Sequence, residues 1–110
     1  MDSDCVFCRI VRGELKAKVI AENDKILVIE DINPKAKIHY LIIPKKHIEN
    51  INFIKEEDYP LVVEMAKMAK KLGEQLDSHS FTLVSNNGKE AGQSVFHLHW
   101  HFIYGRTFGF

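Results

Sequence analysis

The chain has 110 residues, 45% of them hydrophobic and 27% charged, which fits an ordinary folded protein and excludes a disordered one. Its 15 Lys and Arg balance 15 Asp and Glu, so bulk charge gives no pull toward nucleic acid or a membrane surface, and neither partner is expected. No apolar run approaches the roughly 20 residues of a bilayer-spanning helix, and Met1-Asp2-Ser3-Asp4 lacks the basic and apolar regions of a signal peptide; one cytoplasmic domain over residues 1–110 is expected.

The two cysteines sit as Cys5-Val6-Phe7-Cys8. In a reducing compartment this spacing favours metal or redox use over a structural disulfide. One C-x-x-C supplies half of a tetrahedral zinc site, so two packed thiols at a helix start remain the alternative. Asp4 can cap a short helix running to about Arg12, with Gly13 ending it. Strands are expected at Lys18 to Glu22 and Ile26 to Asp31, separated by the Asn23-Asp24 turn signal. Asp31-Ile32-Asn33-Pro34 reads as a loop, in which Asp31 can serve simply as a turn residue. His39 to Pro44 is apolar and β-branched enough for a buried strand. Lys45-Lys46 offers two cations to a phosphate, or a solvated loop.

Leu61, Met65, Met68, Leu72 and Leu76 recur at helical spacing and predict one long helix with an apolar face. Lys67, Lys70, Lys71 and Glu74 lie off that stripe, the methionines read as core filler, and Gly73 weakens the interior. His79 falls in a polar loop. Phe81 to Asn86 reads as a strand, Asn86 to Ser94 as a glycine-containing loop, and Val95 to Ile103 as the last strand. The pattern predicts an α+β protein: an antiparallel sheet of about five strands, one long helix and a short N-terminal helix, with the helices kept to one side.

Within the last strand fall three of the six histidines, His97, His99 and His101. Alternation places them on one face with Val95, and puts Phe96, Leu98, Trp100 and Phe102 on the opposite face, buried under the long helix. Every second residue of a strand is about 6.5–7 Å further on, too far for three rings to converge easily on one metal. Each imidazole is therefore expected to meet a different partner, polar filling of an exposed face being the bland alternative. A neutral imidazole, with an ordinary pKa of about 6.5, is a competent nucleophile toward phosphorus at neutral pH. Asn86, Gly92, Gln93 and Ser94 add donors of the kind that stabilise phosphoryl charge.

The segment "HLHWHFI" matches the pattern His-φ-His-φ-His-φ-φ, where φ is apolar. With "CVFCRIVRGEL", "EDINPKAKIHYLIIPKKHI" and "VSNNGKEAGQSVF" in the same order, the chain resembles the histidine-triad nucleotide-binding proteins of the Hint branch over nearly its whole length. The resemblance implies a histidine-triad fold. It also implies hydrolysis of a purine nucleoside phosphoramidate or aminoacyl adenylate at the α-phosphate, through a covalent nucleotidyl-histidine on His99. His101 matches the residue that shapes the α-phosphate pocket, Ser94 and Gln93 the turn that meets phosphate and leaving group, and His39 a residue supporting the triad. Asp31 matches the carboxylate that accepts the ribose hydroxyls, and Asn86 a ribose and phosphate contact. Phe7, Ile10, Leu15 and Ile32 match the apolar slot for the base, although Phe7 and Ile10, three apart on one helix, also suit a core.

Relatives with an N-terminal C-x-x-C imply a structural zinc held here by Cys5, Cys8, His47 and His97. A homodimer is implied through a continued sheet and the long helix. Three features depart from the family pattern: Tyr104-Gly105-Arg106 stands for Gly-Gly-Arg, Trp100 replaces a smaller aliphatic residue, and the sequence stops at Phe110, short of a longer tail. These bear on the leaving group. A dinucleoside polyphosphate hydrolase, a nucleotide-binding scaffold and a metal carrier are the competing functions.

Overall fold

The Ile- and Val-rich stretches around His39 build the middle of one sheet. In the computed structural model, which describes residues 5–109, the strands are β1 (Val19–Glu22), β2 (Ile26–Glu30), β3 (Ile38–Pro44), β4 (Thr82–Val84) and β5 (Trp100–Tyr104). They lie in the order β1-β2-β3-β5-β4, and every neighbouring pair is antiparallel. The helices are α1 (Val6–Val11) and α2 (Tyr59–Glu74). Among the described residues no helix is long and apolar enough to cross a membrane.

The helices do not share a side of the sheet, contrary to the expectation. On one face α2 packs Met65, Met68, Ala69 and Leu72 against Ile26, Val28, Ile42 and Phe102. On the other, Phe7 of α1 packs with Leu27, Ile29, Leu41 and Ile43. Burial on both faces explains why β2 and β3 carry continuous apolar runs instead of alternation. Pro60 in the first turn starts α2, where a missing N–H costs nothing. The helix stops at Glu74, so Leu76 lies beyond it, half-buried against the same core. At α1, Cys5 is the N-cap, its Sγ accepting the Cys8 N–H at 3.3 Å; the expected cap, Asp4, lies outside the described residues. Gly13, at φ +79°, donates its N–H to the Ile10 carbonyl and turns the chain away.

The two C-terminal strands are shorter than expected. β5 begins at Trp100, not Val95, because the Leu98 N–H leaves the sheet ladder for the Ile48 carbonyl at 2.6 Å. Leu98 and Phe102 are buried as alternation requires, but Phe96 is 45% exposed, since it precedes the regular strand. β4 spans Thr82–Val84, leaving Phe81 outside it. The Phe81 ring instead stacks on Phe102 with centroids 4.6 Å apart and lies over Gly73. A Cβ at Gly73 would clash with Phe81 Cε2, so this glycine makes room for a ring. Gly73→Ala should therefore lower the melting temperature even though alanine gains about 1 kcal/mol of helix propensity. In a Phe81→Ala background the same substitution should raise it; a rise in both backgrounds would contradict the packing account.

Candidate active site

Two groups of side chains meet on the face covered by α1. The first turn of α1 brings Cys5 and Cys8 together, the turn after β3 adds His47, and the segment before β5 adds His97. Their donor atoms lie close: Cys5 Sγ to His97 Nδ1 is 3.2 Å, Cys8 Sγ to His47 Nδ1 3.3 Å, Cys8 Sγ to His97 Nδ1 3.4 Å, and His47 Nδ1 to His97 Nδ1 3.2 Å. Zinc–sulfur and zinc–nitrogen bonds of about 2.3 and 2.0–2.1 Å give tetrahedral edges of roughly 3.3–3.8 Å, close to this spacing. His97 has a fixed tautomer. Its Nε2 lies 2.8 Å from the Pro44 carbonyl, which can only accept, so Nε2 carries the proton and Nδ1 presents a lone pair to the cysteines. The cluster Cys5, Cys8, His47 and His97 thus fits a closed Cys₂His₂ site.

His99 has the opposite tautomer. Its Nδ1–H donates to the His97 carbonyl at 2.7 Å, leaving the Nε2 lone pair available. The ring is buried and meets the edge of Phe7 at 5.0 Å between centroids. Burial holds its pKa below the ordinary imidazole value, against the upward pull of the His97 carbonyl and Asp31. At neutral pH this is an uncharged imidazole with a lone pair on a known nitrogen.

The third histidine ends a relay. The Lys35 N–H donates to His39 Nδ1 at 3.0 Å, so the proton of His39 sits on Nε2. That Nε2–H points at His101 Nδ1, 2.8 Å away, which must therefore accept. His101 Nε2 is left carrying a proton as a donor. Asp31 Oδ2 approaches His39 Nε2 at 3.5 Å, while Oδ1 accepts the Asn33 N–H at 2.8 Å, the turn role open to it in the sequence. Asp31, His39 and His101 also cluster closely enough for a metal. The relay speaks against that use, because ligation by His39 Nε2 would need the proton moved onto the nitrogen that faces the Lys35 N–H. The His99 and His101 ring centroids are 5.1 Å apart.

Burial pushes the His39 pKa down, Asp31 opposing and Lys35 assisting. His101 is pushed down to about 4, by burial first and then by the neighbouring His99 and His39, with Asp31 opposing. In the unfolded chain His101 titrates near 6.5. Its contribution to stability is thus complete above about pH 6.5 and is lost as the pH falls toward 4, where the unfolded chain binds the proton first. Thermal melts of the parent should decline more steeply over this range than those of His101→Asn, whose metal cluster is intact; equal slopes would contradict the assignment.

The remaining expected site residues are placed unevenly. Gln93 is buried with its amide in full use: Nε2 donates to the carbonyls of Glu49 and Val95, and Oε1 accepts from Asn50 Nδ2 and the Gly88 N–H. Those four bonds exhaust the amide, so it holds the loop together instead of reaching a ligand. Asn86 Nδ2 donates to the Ala91 carbonyl across the same loop. Ser94 is exposed and lines a cleft with Cys5, His47, Glu49 and Phe96. Phe7 is buried, Ile10 half-buried beside it in the same cluster, Leu15 half-buried, and Ile32 is 90% exposed. Lys45 pairs with Glu22 and Lys46 with the buried Asp58, so both cations are engaged within the protein. Asn50 and Asp58 carry no sequence expectation. Asn50 was recognisable as a residue type suited to a helix cap, which is its role at the Ile51–Phe53 turn.

Residues 4–107 match the family described as "Scavenger mRNA decapping enzyme C-term binding". An uncharacterised HIT-like protein of Synechocystis is 40% identical over 109 residues, covering 98% of this chain and 96% of the relative. A HIT family hydrolase from Clostridium thermocellum superposes with a TM-score of 0.90 at 40% identity, covering 96% of this chain and 94% of that one. A zinc-bound histidine triad family protein from Mycobacterium smegmatis superposes with a TM-score of 0.80 at 31% identity, covering 96% of this chain and 78% of that one.

Proposed function

The chain belongs to the histidine-triad family, and on that premise we propose that it is a hydrolase cleaving purine nucleoside phosphoramidates or aminoacyl adenylates at the α-phosphate. The observation that carries the reading is the tautomer of His99. With Nδ1–H committed to the His97 carbonyl, Nε2 presents the lone pair that a nucleophile needs, and its burial keeps it uncharged. In the reaction, Nε2 forms a bond to the α-phosphorus as the bond to the leaving group breaks, a departing amine taking up a proton from solvent and a departing carboxylate needing none. Water then attacks the phosphorus, breaks the N–P bond, returns a proton to solvent and releases the nucleoside monophosphate. The relay Lys35–His39–His101 keeps the His101 Nε2–H available to donate to a phosphoryl oxygen as charge builds there.

Asp31 is assigned to the ribose hydroxyls. Its neighbour Ile32, an apolar side chain 90% exposed, offers a face that a stacked base would cover. Asn86 and Ser94 flank the phosphate, and Gln93 supports them by holding the loop. Bound by Cys5, Cys8, His47 and His97, zinc would supply a structural cross-link with no open coordination position. Zinc in the mycobacterial relative supports that use. A homodimer through the β4 edge is part of the proposal: β4 ends the sheet, and Leu83 on it and Val63 on α2 are 41% and 53% exposed. Light scattering should give the mass of two chains at micromolar concentration; a monomer would contradict it.

A substrate panel tests the assignment of reaction. Adenosine phosphoramidate and an aminoacyl adenylate should be hydrolysed with a higher kcat/KM than diadenosine tetraphosphate. The reverse order would favour a dinucleoside polyphosphate hydrolase using the same three histidines. Nucleotide binding with no turnover of any member would favour a scaffold.

A further inference from the structure

Phe7 lies between Cys5 and Cys8 in sequence and touches both functional halves of the site. Its ring meets His97 edge-on at 5.8 Å and 74°, and His99 at 5.0 Å and 82°. His97 is a second bridge between the same halves. Its Nδ1 faces the cysteines, its Nε2–H donates to Pro44, and its carbonyl accepts the Nδ1–H of His99. Everything that orients the nucleophile's ring from this side therefore passes through a cluster ligand or through the residue two such ligands flank. We infer that Phe7 is a positioning residue for His99, through which occupation of the Cys5–Cys8–His47–His97 cluster by metal sets the orientation of the nucleophile.

One hydrogen bond to the His97 carbonyl fixes a single nitrogen of His99 but leaves the ring free to tilt, because its terminal torsion has a broad minimum. The edge of Phe7 limits that tilt. Phe7 is itself held by α1, a helix of six residues that is too short to persist on its own. Packing against Leu27, Ile29, Leu41 and Ile43 seats its ring, and a metal held by residues 5 and 8 would fix the helix that carries it. Phe7 is 6% exposed, so little of its ring remains for a nucleobase and most of it faces side chains. This inference rests on the reading of His99 as the nucleophile.

The test uses the zinc-loaded full chain with ¹⁵N-labelled histidine, at one fixed pH, comparing the parent with Phe7→Leu. The variant should keep one equivalent of zinc, lose about three- to tenfold in kcat on adenosine phosphoramidate, and keep its KM within about twofold; the loss matches one edge-to-face ring contact. Its His99 nitrogens should move from the pattern of a single Nδ1–H tautomer toward an averaged one. Stripping zinc from the folded parent should produce the same averaging, and restoring zinc should reverse it, a readout independent of whether the variant folds well. An unchanged His99 pattern in either experiment, or a rise in KM alone, would overturn the inference. Failure of the nucleophile reading looks different: His99→Ala would still hydrolyse substrate, whatever the ¹⁵N pattern reports about the coupling.

Discussion

His99→Ala loses hydrolysis of adenosine phosphoramidate by about four orders of magnitude or more while still binding adenosine monophosphate. The size follows from removing a covalent step: without the Nε2 lone pair there is no two-stage route, and what remains is positioning and phosphoryl stabilisation. Binding persists because the residues assigned to the ribose and base, Asp31 and Ile32, lie on the loop after β2 and keep their side chains when the His99 ring is removed. The loss should exceed that of His101→Asn, which removes one donor and is expected to cost about 10²–10³-fold. Steady-state kinetics and calorimetric titration check both halves of the statement. A variant that turns over as fast as the parent would remove His99 from the chemistry.

The second large effect concerns the metal cluster. Protein purified without added metal should contain about one zinc per chain, and either chelation or Cys8→Ser should lower the melting temperature by roughly 15 °C or more. His97 is fully buried and Cys8 is 5% exposed, so loss of the ion removes the bonds that would tie these buried groups to Cys5 and His47. It also unties α1 from the sheet, exposing the cluster that Phe7 makes with Leu27, Ile29, Leu41 and Ile43. Metal analysis and thermal melts with and without chelator decide it; zinc-free protein that melts at the same temperature would sink the idea.

The long helix and the central strands were legible because their patterns are long and their signals agree. The apolar stripe from Leu61 to Leu72 and the run from Ile38 to Pro44 each point to one structure. The histidine segment was legible in part. Alternation correctly puts Leu98, Trp100 and Phe102 on the α2 side and Val95, His97 and His99 on the Phe7 side, but it fails at Phe96, which turns out to solvent just before the Leu98 N–H is drawn to the Ile48 carbonyl. A hydrogen bond from a loop distant in sequence leaves no mark in a local pattern. The side of the sheet taken by α1 was likewise invisible, since six residues carry too little periodicity to name a face.

The chemical states of the histidines were the least legible. They are set by backbone atoms: the Pro44 carbonyl for His97, the His97 carbonyl for His99, and the Lys35 N–H for His39. Backbone groups carry no residue signature, so the sequence can locate three imidazoles without saying which nitrogen holds each proton. Gln93 shows the same limit. Its residue type suits a phosphate contact, but only the surrounding carbonyls and amides of Glu49, Val95, Asn50 and Gly88 reveal that its amide is already consumed.

The stereochemical course at phosphorus distinguishes a covalent His99 from every alternative role for that ring. A substrate made chiral at the α-phosphorus with sulfur and hydrolysed in isotopically labelled water reports how many displacements occurred. Attack by His99 followed by water inverts the centre twice, so net retention is expected. Net inversion would mean that water attacks the substrate directly, and would contradict the covalent role of His99.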